Sequence, residues 1–198
     1  MERKSGKLFS SPLLQALTTT SPALILGMYI PVIIGLPLLL HLRYNLEFQD
    51  ISLAFLLGVA LWSFTEYWLH RKVFHWVGES KTSQRLHYLV HGYHHTYPRD
   101  KDHLFMPVIP SVVLATTFCL LFWTIVDNIG LATFSGFLAG YLVYASMHYS
   151  MHTISLPPKW LRPLWRHHHL HHSTSPNKAF GVSSVIWDKI FQTMPVKK

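Results

Sequence analysis

The chain has 198 residues, a formal net charge of +8 and a single cysteine, Cys119; 49% of its residues are hydrophobic and only 13% are charged. One cysteine excludes an intramolecular disulfide, and this length predicts one domain over residues 1–198. A basic chain typically binds nucleic acid or an anionic membrane, and so few charges among so many apolar residues favour the membrane, with no nucleic-acid partner.

The N-terminal sequence MERKSGK resembles the charged region of a signal peptide. The run that follows it, LFSSPLLQALTTTSP, is interrupted by polar residues and lacks an obvious small-residue cleavage site. We therefore expect no cleavage.

Four apolar segments approach the roughly 20 residues that a helix needs to cross a bilayer. They are residues 23–42, 51–69, 107–126 and 131–147. Pro31 and Pro37 are expected to bend the first helix without preventing its insertion, and the sequence DNIG predicts a turn between the last two. The chain is therefore predicted to be an all-α integral membrane protein with four transmembrane helices. The alternative is that these segments are buried helices of a soluble domain.

The positive charges predict how these helices are oriented. Four spans place both termini on one side, and 16 of the 17 lysines and arginines fall on that side, which leaves only Arg43 opposite. Because cytoplasmic flanks collect Lys and Arg, we expect both termini in the cytoplasm, with a cytoplasmic helical cap formed by residues 70–106 and 148–198. This asymmetry also argues against the soluble alternative.

Ten of the 15 histidines lie in four short motifs directly after the second and fourth spans. The motifs are HRKVFH (His70, His75), HGYHH (His91, His94, His95), HYSMH (His148, His152) and HHLHH (His168, His171, His172). Positions i, i+3 and i+4 share one face of a helix, so each HxxHH is expected to direct three imidazoles at one point, and HxxxH two. The two histidines of HxxxxH are about 140° apart on a regular helix, which predicts a bend or a helix end.

This histidine pattern predicts a dinuclear metal centre. Imidazole suits iron, zinc, copper and nickel, and one such ion takes roughly four to six ligands, so ten ligands imply two ions. The HExxH pattern of zinc proteases does not occur in the sequence. The nucleotide-deaminase pattern requires cysteine ligands, and Cys119 lies inside a predicted span.

The order HxxxxH, HxxHH, HxxxH, HxxHH after membrane spans resembles the fatty acid hydroxylase superfamily. The segments FTEYWLHRKVFH, HYLVHGYHHTYP and FGVSSVIWDKIFQTMP are most similar to its fatty acid 2-hydroxylase branch, and the resemblance runs from about Ser63 to Pro195. The sequence YLVYASMH departs from that branch, because Ala145 stands where the branch has an aspartate. This departure leaves the substrate and the hydroxylated position open.

The resemblance implies an O2-dependent membrane oxygenase that hydroxylates a fatty acyl chain, most consistently at carbon 2. It implies two iron ions, no catalytic residue beyond the metal centre, and two electrons supplied from outside. Zinc is expected to compete for the centre in isolated protein, because nitrogen-rich sites generally bind it more tightly than ferrous iron. Many eukaryotic relatives carry an N-terminal cytochrome b5 domain, and the 69 residues before His70 hold only a basic tail and two spans. We therefore expect a separate electron donor of the cytochrome b5 or ferredoxin type with its reductase, and a bacterial inner membrane rather than an endoplasmic reticulum.

Four further residues are expected to support the ligands. Glu66 lies one turn before His70, where the free N–H of a ligand histidine is a natural partner for a carboxylate; the alternative is an interfacial glutamate. Asp188 matches the closing motif of the branch, and His87 lies one turn before His91. Tyr144 is the fourth, with a membrane anchor as its alternative.

The aromatic residues Trp62, Phe64, Tyr67 and Trp68 either line a lipid route to the metals or form an interfacial belt. His41 is expected at the opposite membrane interface. His103, His167 and His169 are expected to be solvated or structural.

Two other functions remain open at this stage. One is a sterol or carotenoid hydroxylase or desaturase of the same superfamily. The other is a non-catalytic metal-binding or transport protein, which would be expected to place ionisable ligands near the middle of its spans rather than beyond their ends.

Overall fold

A computed structural model describes residues 5–195, which form helices, turns and loops without a β-strand in that range. The α-helices are α1 (Pro12–Ala16), α2 (Pro22–Tyr44), α3 (Phe48–Trp68), α4 (Lys81–His87), α5 (Tyr93–Thr96), α6 (Val108–Val126), α7 (Ile129–Thr153), α8 (Arg162–Ser173) and α9 (Ile186–Ile190). Two π-helical turns, π1 (Leu69–Phe74) and π2 (Tyr88–Gly92), extend α3 and α4, and short 3-10 turns cover Lys101–His103 and Lys159–Leu161. The charge count also used Arg3, Lys4, Lys197 and Lys198, which lie outside the described residues.

Four helical stretches are long and apolar enough to cross a membrane, and they confirm the predicted fold class. They are Pro22–Tyr44, Phe48–Phe74, Lys101–Val126 and Ile129–Thr153. The fourth is longer at both ends than the predicted 131–147. At its start only Asp127 and Asn128 form the turn, whereas Ile129 and Gly130 are already helical. At its end the helix continues through the HxxxH motif.

Local chemistry explains where the first long helix begins and ends. The Ser21 side chain caps α2 by accepting a hydrogen bond from the Leu24 amide, and Pro22 occupies the first turn, where its missing N–H costs nothing. Asn45 ends the helix in the left-handed conformation, with φ of 52°. Pro31 and Pro37 lie inside the helix, as expected for a membrane span.

Helix α7 is the centre of the bundle and packs against α2, α3 and α6. Fourteen of its 25 residues are buried, against three of 23 in α2. Its hydrophobic side chains form the main core with Tyr29 of α2 and Trp62 of α3. The outward faces of the other three helices are left to lipid.

Glycines allow α3 and α7 to approach closely. A Cβ atom at Gly136 would overlap the carbonyl oxygen of Phe55, and one at Gly58 would overlap the carbonyl oxygen of Thr133. Gly140, one turn further along α7, lies against the Trp62 side chain. This small-xxx-small spacing is typical of tightly packed membrane helices.

A cap of shorter elements covers one end of the bundle, and both ends of the described chain belong to it. The N-terminal segment is fastened by the Gly6 amide, which donates to the Tyr93 hydroxyl, and by the Arg85 guanidinium, which donates to the Leu8 carbonyl. At the other terminus, the Ala179 amide donates to the Thr193 carbonyl.

Because α3 and α7 approach so closely, adding a single methyl group between them is expected to lower the stability of the protein. Gly136→Ala is expected to destabilise the protein by about 1–3 kcal/mol, because the new Cβ forces the helices apart. Gly35→Ala is the matched control, since a Cβ at Gly35 meets nothing within 4 Å and alanine is the better helix former. Thermal unfolding in detergent measures both variants, and equal Tm values would contradict this packing.

Candidate metal centre

All ten motif histidines meet at the boundary between the bundle and the cap, in two groups of five. Within each group the ligand nitrogens all lie within 4.8 Å of one another. Group A contains His70, His75, His91, His95 and His171, and group B contains His94, His148, His152, His168 and His172. The two groups adjoin, because the rings of His95 and His172 stack with their centroids 4.2 Å apart.

A π-helical turn brings the two histidines of the first motif together. The His75 amide donates to the His70 carbonyl, five residues earlier, at 3.3 Å. This wider turn returns residues five apart to the same side of the chain, and the two rings lie 5.1 Å apart. His75 is the C-cap of π1, so the pair lies at a helix end, as expected from its spacing.

Each HxxHH motif serves both groups, which differs from the expectation that its three imidazoles share one point. In the second motif, His91 and His95 belong to group A and His94 to group B. In the fourth motif the assignment is reversed, since His168 and His172 belong to group B and His171 to group A. The i, i+4 pair therefore lies in one group and the i+3 residue in the other.

The third motif behaves as its spacing predicts. His148 and His152 are one turn apart on α7, and both belong to group B. The His148 Nε2 lies 2.9 Å from the His94 Nε2, and the His152 Nε2 lies 2.8 Å from the His168 Nε2. Through this motif a membrane-spanning helix directly contributes to the site.

Backbone carbonyls fix the orientation of two group A rings. The Nδ1 of His70 lies 2.6 Å from the Phe180 carbonyl oxygen, and the Nδ1 of His171 lies 2.7 Å from the Lys178 carbonyl oxygen. Only a protonated Nδ1 can donate to a carbonyl, so the Nε2 of each neutral ring carries a lone pair. Two lone pairs thus face the convergent nitrogens of the group, and a cation would satisfy them together.

The spacing of the nitrogens fits metal coordination. Two imidazole nitrogens bound at about 2.0–2.1 Å to one ion, at roughly right angles, are about 3 Å apart. In group A, His91 Nε2 lies 3.1 Å from His70 Nε2 and 3.0 Å from His95 Nε2. In group B, His94 Nε2 lies 3.0 Å from His172 Nε2. The donors present therefore fit two ions with nitrogen-only ligation.

Burial keeps these histidines in the neutral form that binds metals. Desolvation, together with neighbouring imidazoles, lowers the pKa of His75 to about 3 and the pKa of His95 to about 3. Burial also lowers the pKa values of His91, His94 and His168 well below the usual range. At neutral pH each ring therefore retains the lone pair that a ligand needs.

Glu66 is buried near the site but does not contact a histidine, so the expected bond to a ligand N–H is wrong. Its carboxylate accepts hydrogen bonds from the Val182 amide at 2.7 Å, the Ser183 amide at 2.9 Å and the Ser183 hydroxyl. The His70 N–H is already bound to the Phe180 carbonyl. Glu66 thus acts on the ligands indirectly, by anchoring the loop that carries this carbonyl.

Asp188 anchors the same loop from the other side. Its carboxylate accepts hydrogen bonds from the amides of Phe180 at 3.0 Å and Gly181 at 2.7 Å, and from the Thr193 hydroxyl at 2.7 Å. His167 Nε2 lies 3.0 Å from the same carboxylate. Burial raises the pKa of Asp188, but these hydrogen bonds outweigh it and lower the pKa below the usual value.

His87 and Tyr144 support neighbouring parts of the site without joining either group. The His87 Nδ1 lies 2.8 Å from the Phe74 carbonyl oxygen, which fastens π2 to the end of π1 next to His75. Tyr144 stacks on His148 with the ring planes 8° apart.

The other histidines are not gathered into either group. His41 is exposed, with its Nδ1 3.1 Å from the Leu46 carbonyl oxygen, at the opposite end of α2. His103 pairs with Asp100 at 3.1 Å. His167 is buried against Asp188 and is therefore structural, whereas His169 is exposed on α8.

A cavity of about 500 Å³ runs from the histidines into the bundle between α2, α3, α6 and α7. His91, His94 and His148 line one end, so the cavity reaches members of both groups. Phe134 lines it furthest along α7 from His148, 14 residues away or about 21 Å of helix.

Only one of the four aromatic residues proposed for a lipid route lines this cavity. That residue is Trp62. Phe64 packs against Trp187, and Trp68 packs against Phe191. The buried Tyr67 hydroxyl bonds to Thr193, so these three residues hold the C-terminal segment on α3.

Three contributions to the site were not predicted from the sequence. The first is the carbonyl groups of Lys178 and Phe180, which carry no side-chain signal. The second is the pair of π-helical turns, of which the five-residue spacing in HRKVFH was the available sign. The third is the division of each HxxHH between two groups.

A family model described as Fatty acid hydroxylase matches residues 55–193 of the chain. Among curated proteins, the chain is 35% identical over 147 residues to a protein named Dihydroceramide fatty acyl 2-hydroxylase FAH1 from Arabidopsis thaliana, with 72% of this chain and 60% of that protein covered. It is 38% identical over 143 residues to Ceramide very long chain fatty acid hydroxylase SCS7 from Saccharomyces cerevisiae, with 70% of this chain and 37% of that protein covered. The chain thus spans less than two thirds of either relative.

A solved structure described as full-length scs7p, with only the hydroxylase domain visible, has a similar fold. The TM-score is 0.89 at 33% sequence identity, and the match covers 99% of this chain and 76% of that chain.

The division into two groups predicts the metal content of paired variants. His75→Ala with His171→Ala removes two facing ligands of group A, and His152→Ala with His168→Ala removes two of group B. Each double variant is expected to retain about one of two metal equivalents, measured by mass spectrometry after reconstitution and gel filtration, because roughly four ligands are needed per ion.

The control for this experiment is His169→Ala, which removes an exposed histidine of α8 that belongs to neither group. It is expected to keep both equivalents. A double variant that keeps two ions, or that loses both while remaining monodisperse, contradicts the grouping.

Proposed function

Because the chain belongs to the fatty acid hydroxylase family, we propose that it is a membrane-bound, O2-dependent oxygenase that hydroxylates a fatty acyl chain at carbon 2. The observation that carries this proposal is a deep apolar cavity that ends at members of both histidine groups. Its relatives are named for acyl chains of dihydroceramide and ceramide, so the proposed substrate is an acyl chain with a polar headgroup.

Two iron ions, held by groups A and B, are the proposed cofactor and would supply the activation of dioxygen. Nitrogen donors suit iron, and they also suit zinc, which we expect to compete in isolated protein. The chain itself holds the imidazoles neutral, fixes their direction through the carbonyls of Phe180 and Lys178, and keeps water away with an apolar wall.

The direction of the cavity favours hydroxylation near the headgroup. A polar headgroup cannot enter an apolar cavity without losing its hydrogen bonds to water, so the acyl tail enters first. Its last carbons then lie at the end lined by Phe134, about 21 Å of helix away from His148. The carbons beside the headgroup remain next to His91, His94 and His148. This direction of the bound acyl chain supports hydroxylation at carbon 2 and disfavours hydroxylation near the end of the tail.

Phenylalanines at the inner end of the cavity are the proposed limit on chain length. Phe118, Phe134 and Phe137 line that end. Phe118 and Phe137 pack with their ring centroids 4.6 Å apart, and Phe122 lies behind Phe137 at 5.4 Å. An acyl chain too long for the cavity would meet this aromatic cluster.

The proposed orientation places both termini and the cap in the cytoplasm. The distribution of 16 of 17 basic residues supports it. The electrons for the reaction would then come from a donor protein on that side, of the cytochrome b5 or ferredoxin type. The expectation of a bacterial membrane stays a prediction.

The test of the proposed function is lipid analysis of cells that express the protein with an electron donor. Wild-type protein is expected to yield 2-hydroxy acyl chains, whereas His94→Ala yields none, because His94 is central to group B and lines the cavity. Mass spectrometry of released acyl chains and of sterols identifies the product.

His41→Ala is the matched control, since His41 is exposed at the far end of α2, and it is expected to match the wild type. Identical lipid profiles for wild type and His94→Ala contradict an enzyme. Hydroxylation at another carbon contradicts the position, and a modified sterol or carotenoid contradicts the acyl substrate.

The phenylalanine cluster predicts a change in chain-length preference. Phe134→Leu, and more strongly Phe134→Ala, is expected to shift the products of a mixed acyl pool towards longer chains, because the inner end of the cavity deepens. Val143→Ala is the control, since Val143 is 54% exposed on the same helix and does not line the cavity. The readout is the ratio of product lengths, which a partial loss of folded protein does not alter. An unchanged ratio excludes this limit on chain length.

A further inference from the structure

Helix α8 presents opposite faces to the histidine groups and to the surroundings. Trp165, His168 and His171 are buried. Arg162, Arg166 and His169 are exposed and follow each other at i, i+4 and i+7, which places them on one stripe of the helix. Because the buried face carries the ligands, the exposed stripe lies on the other side of the same helix.

The exposed stripe lies only a short distance from the proposed metal centre. An α-helix with its side chains is about 10–12 Å across. His168 reaches inward to a nitrogen–nitrogen distance of 2.8 Å from His152 of α7. A molecule that rests on the exposed stripe of α8 is therefore separated from group B by about one helix.

The exposed stripe is positively charged and lacks compensating carboxylates. Arg99, which follows α5, is also exposed. Among residues 5–195, the ion pairs within 4.0 Å are two His–Asp pairs, so Arg99, Arg162 and Arg166 have no such partner there. The charges of this face are free to attract an anionic surface.

One side of the cap carries a group of exposed apolar side chains. Val73, Trp76 and Val77 follow α3, and Leu86 and Val90 lie on α4 and π2; all are at least 46% exposed. That side is continuous with the membrane-spanning helix α3 and suits lipid. Leu156 and Trp160, which precede α8, are 82% and 78% exposed, whereas the stripe itself contains no apolar residue. The stripe therefore offers charge alone, which suits the carboxylates of a protein surface.

We propose that Arg162 and Arg166, on the exposed stripe of α8, form the docking surface for an electron-carrying protein with a carboxylate-rich surface. The inference rests on the proposed function, in which one oxygen atom of dioxygen enters a C–H bond and the other is reduced to water. That reaction consumes two electrons and two protons. The partner, a one-electron haem or iron–sulfur carrier, supplies the electrons in two successive encounters and is oxidised each time.

The test reverses two charges on this face and, as a matched control, two charges elsewhere on the surface. Arg162→Glu with Arg166→Glu is compared with Lys81→Glu and Lys189→Glu, two exposed lysines on α4 and α9. Glu at position 162 lies in the first turn of α8, where a negative charge suits the helix dipole. Metal content and gel filtration confirm that each variant is folded.

The probe is the soluble haem domain of cytochrome b5, used as an acidic one-electron carrier. Surface plasmon resonance measures its Kd for the protein in phosphatidylcholine nanodiscs at low and at physiological salt. R162E with R166E is expected to weaken binding at least tenfold at low salt and to remove most of the salt dependence, because close charge pairs steer association. The lysine control is expected to stay within twofold. In turnover, the KM for the carrier is expected to rise while kcat at saturating carrier is kept.

Equal effects of the two charge reversals, or no effect of R162E with R166E, contradict this docking surface. The same holds if the reversal acts only in nanodiscs that contain anionic lipid, since the stripe then contacts the bilayer. The proposed function fails separately, if wild-type protein binds and oxidises the reduced carrier without yielding a hydroxylated acyl chain.

Discussion

The structure depends on the convergence of ten neutral imidazoles whose nearest ring nitrogens lie about 3 Å apart. Burial keeps these rings from taking up protons, so metal cations are the natural complement to so many nitrogen donors in one place. Group A draws its ligands from π1, from the π2–α5 segment and from α8, and group B draws them from α5, α7 and α8. The same two elements, α5 and α8, therefore position ligands of both groups.

Two buried carboxylates anchor the loop whose backbone carbonyls orient two ligand histidines. Glu66 and Asp188 bind backbone amides between Phe180 and Ser183, and the carbonyls of the same loop orient His70 and His171. A carboxylate placed among the histidines would change the charge of the centre. Placed behind the loop, it fixes ring direction through neutral peptide dipoles, which leaves both groups with nitrogen donors only.

Most of the fold and the identity of the gathered histidines could be predicted, because both follow from local patterns. Four apolar runs predict the membrane spans, and the HxxxH spacing predicts that His148 and His152 share one face of a helix. The division of HxxHH could not be predicted from the rule that i, i+3 and i+4 share a face. His94 and His95 project about 100° apart on a helix, which is too wide for one small ion but suits two adjacent ones. The partner of Glu66 could not be predicted either, because it comes from a loop 116 residues away. The GFLAG sequence of α7, in contrast, was a readable sign of the close contact with α3.

The two sides of the centre suit two reactants of opposite character. His91, His94 and His148 open towards an apolar cavity inside the bundle, whereas α8 separates the same centre from a basic surface. In the proposed function, the acyl tail occupies this cavity with its headgroup at the histidine end, and the electron carrier docks on the cap without entering the membrane. Because an electron can pass through one layer of helix while water and lipid cannot, α8 would let a docked carrier reduce the centre and still close the centre to solvent. The short HHLHH helix meets both demands at once, with ligands on one face and cations on the other.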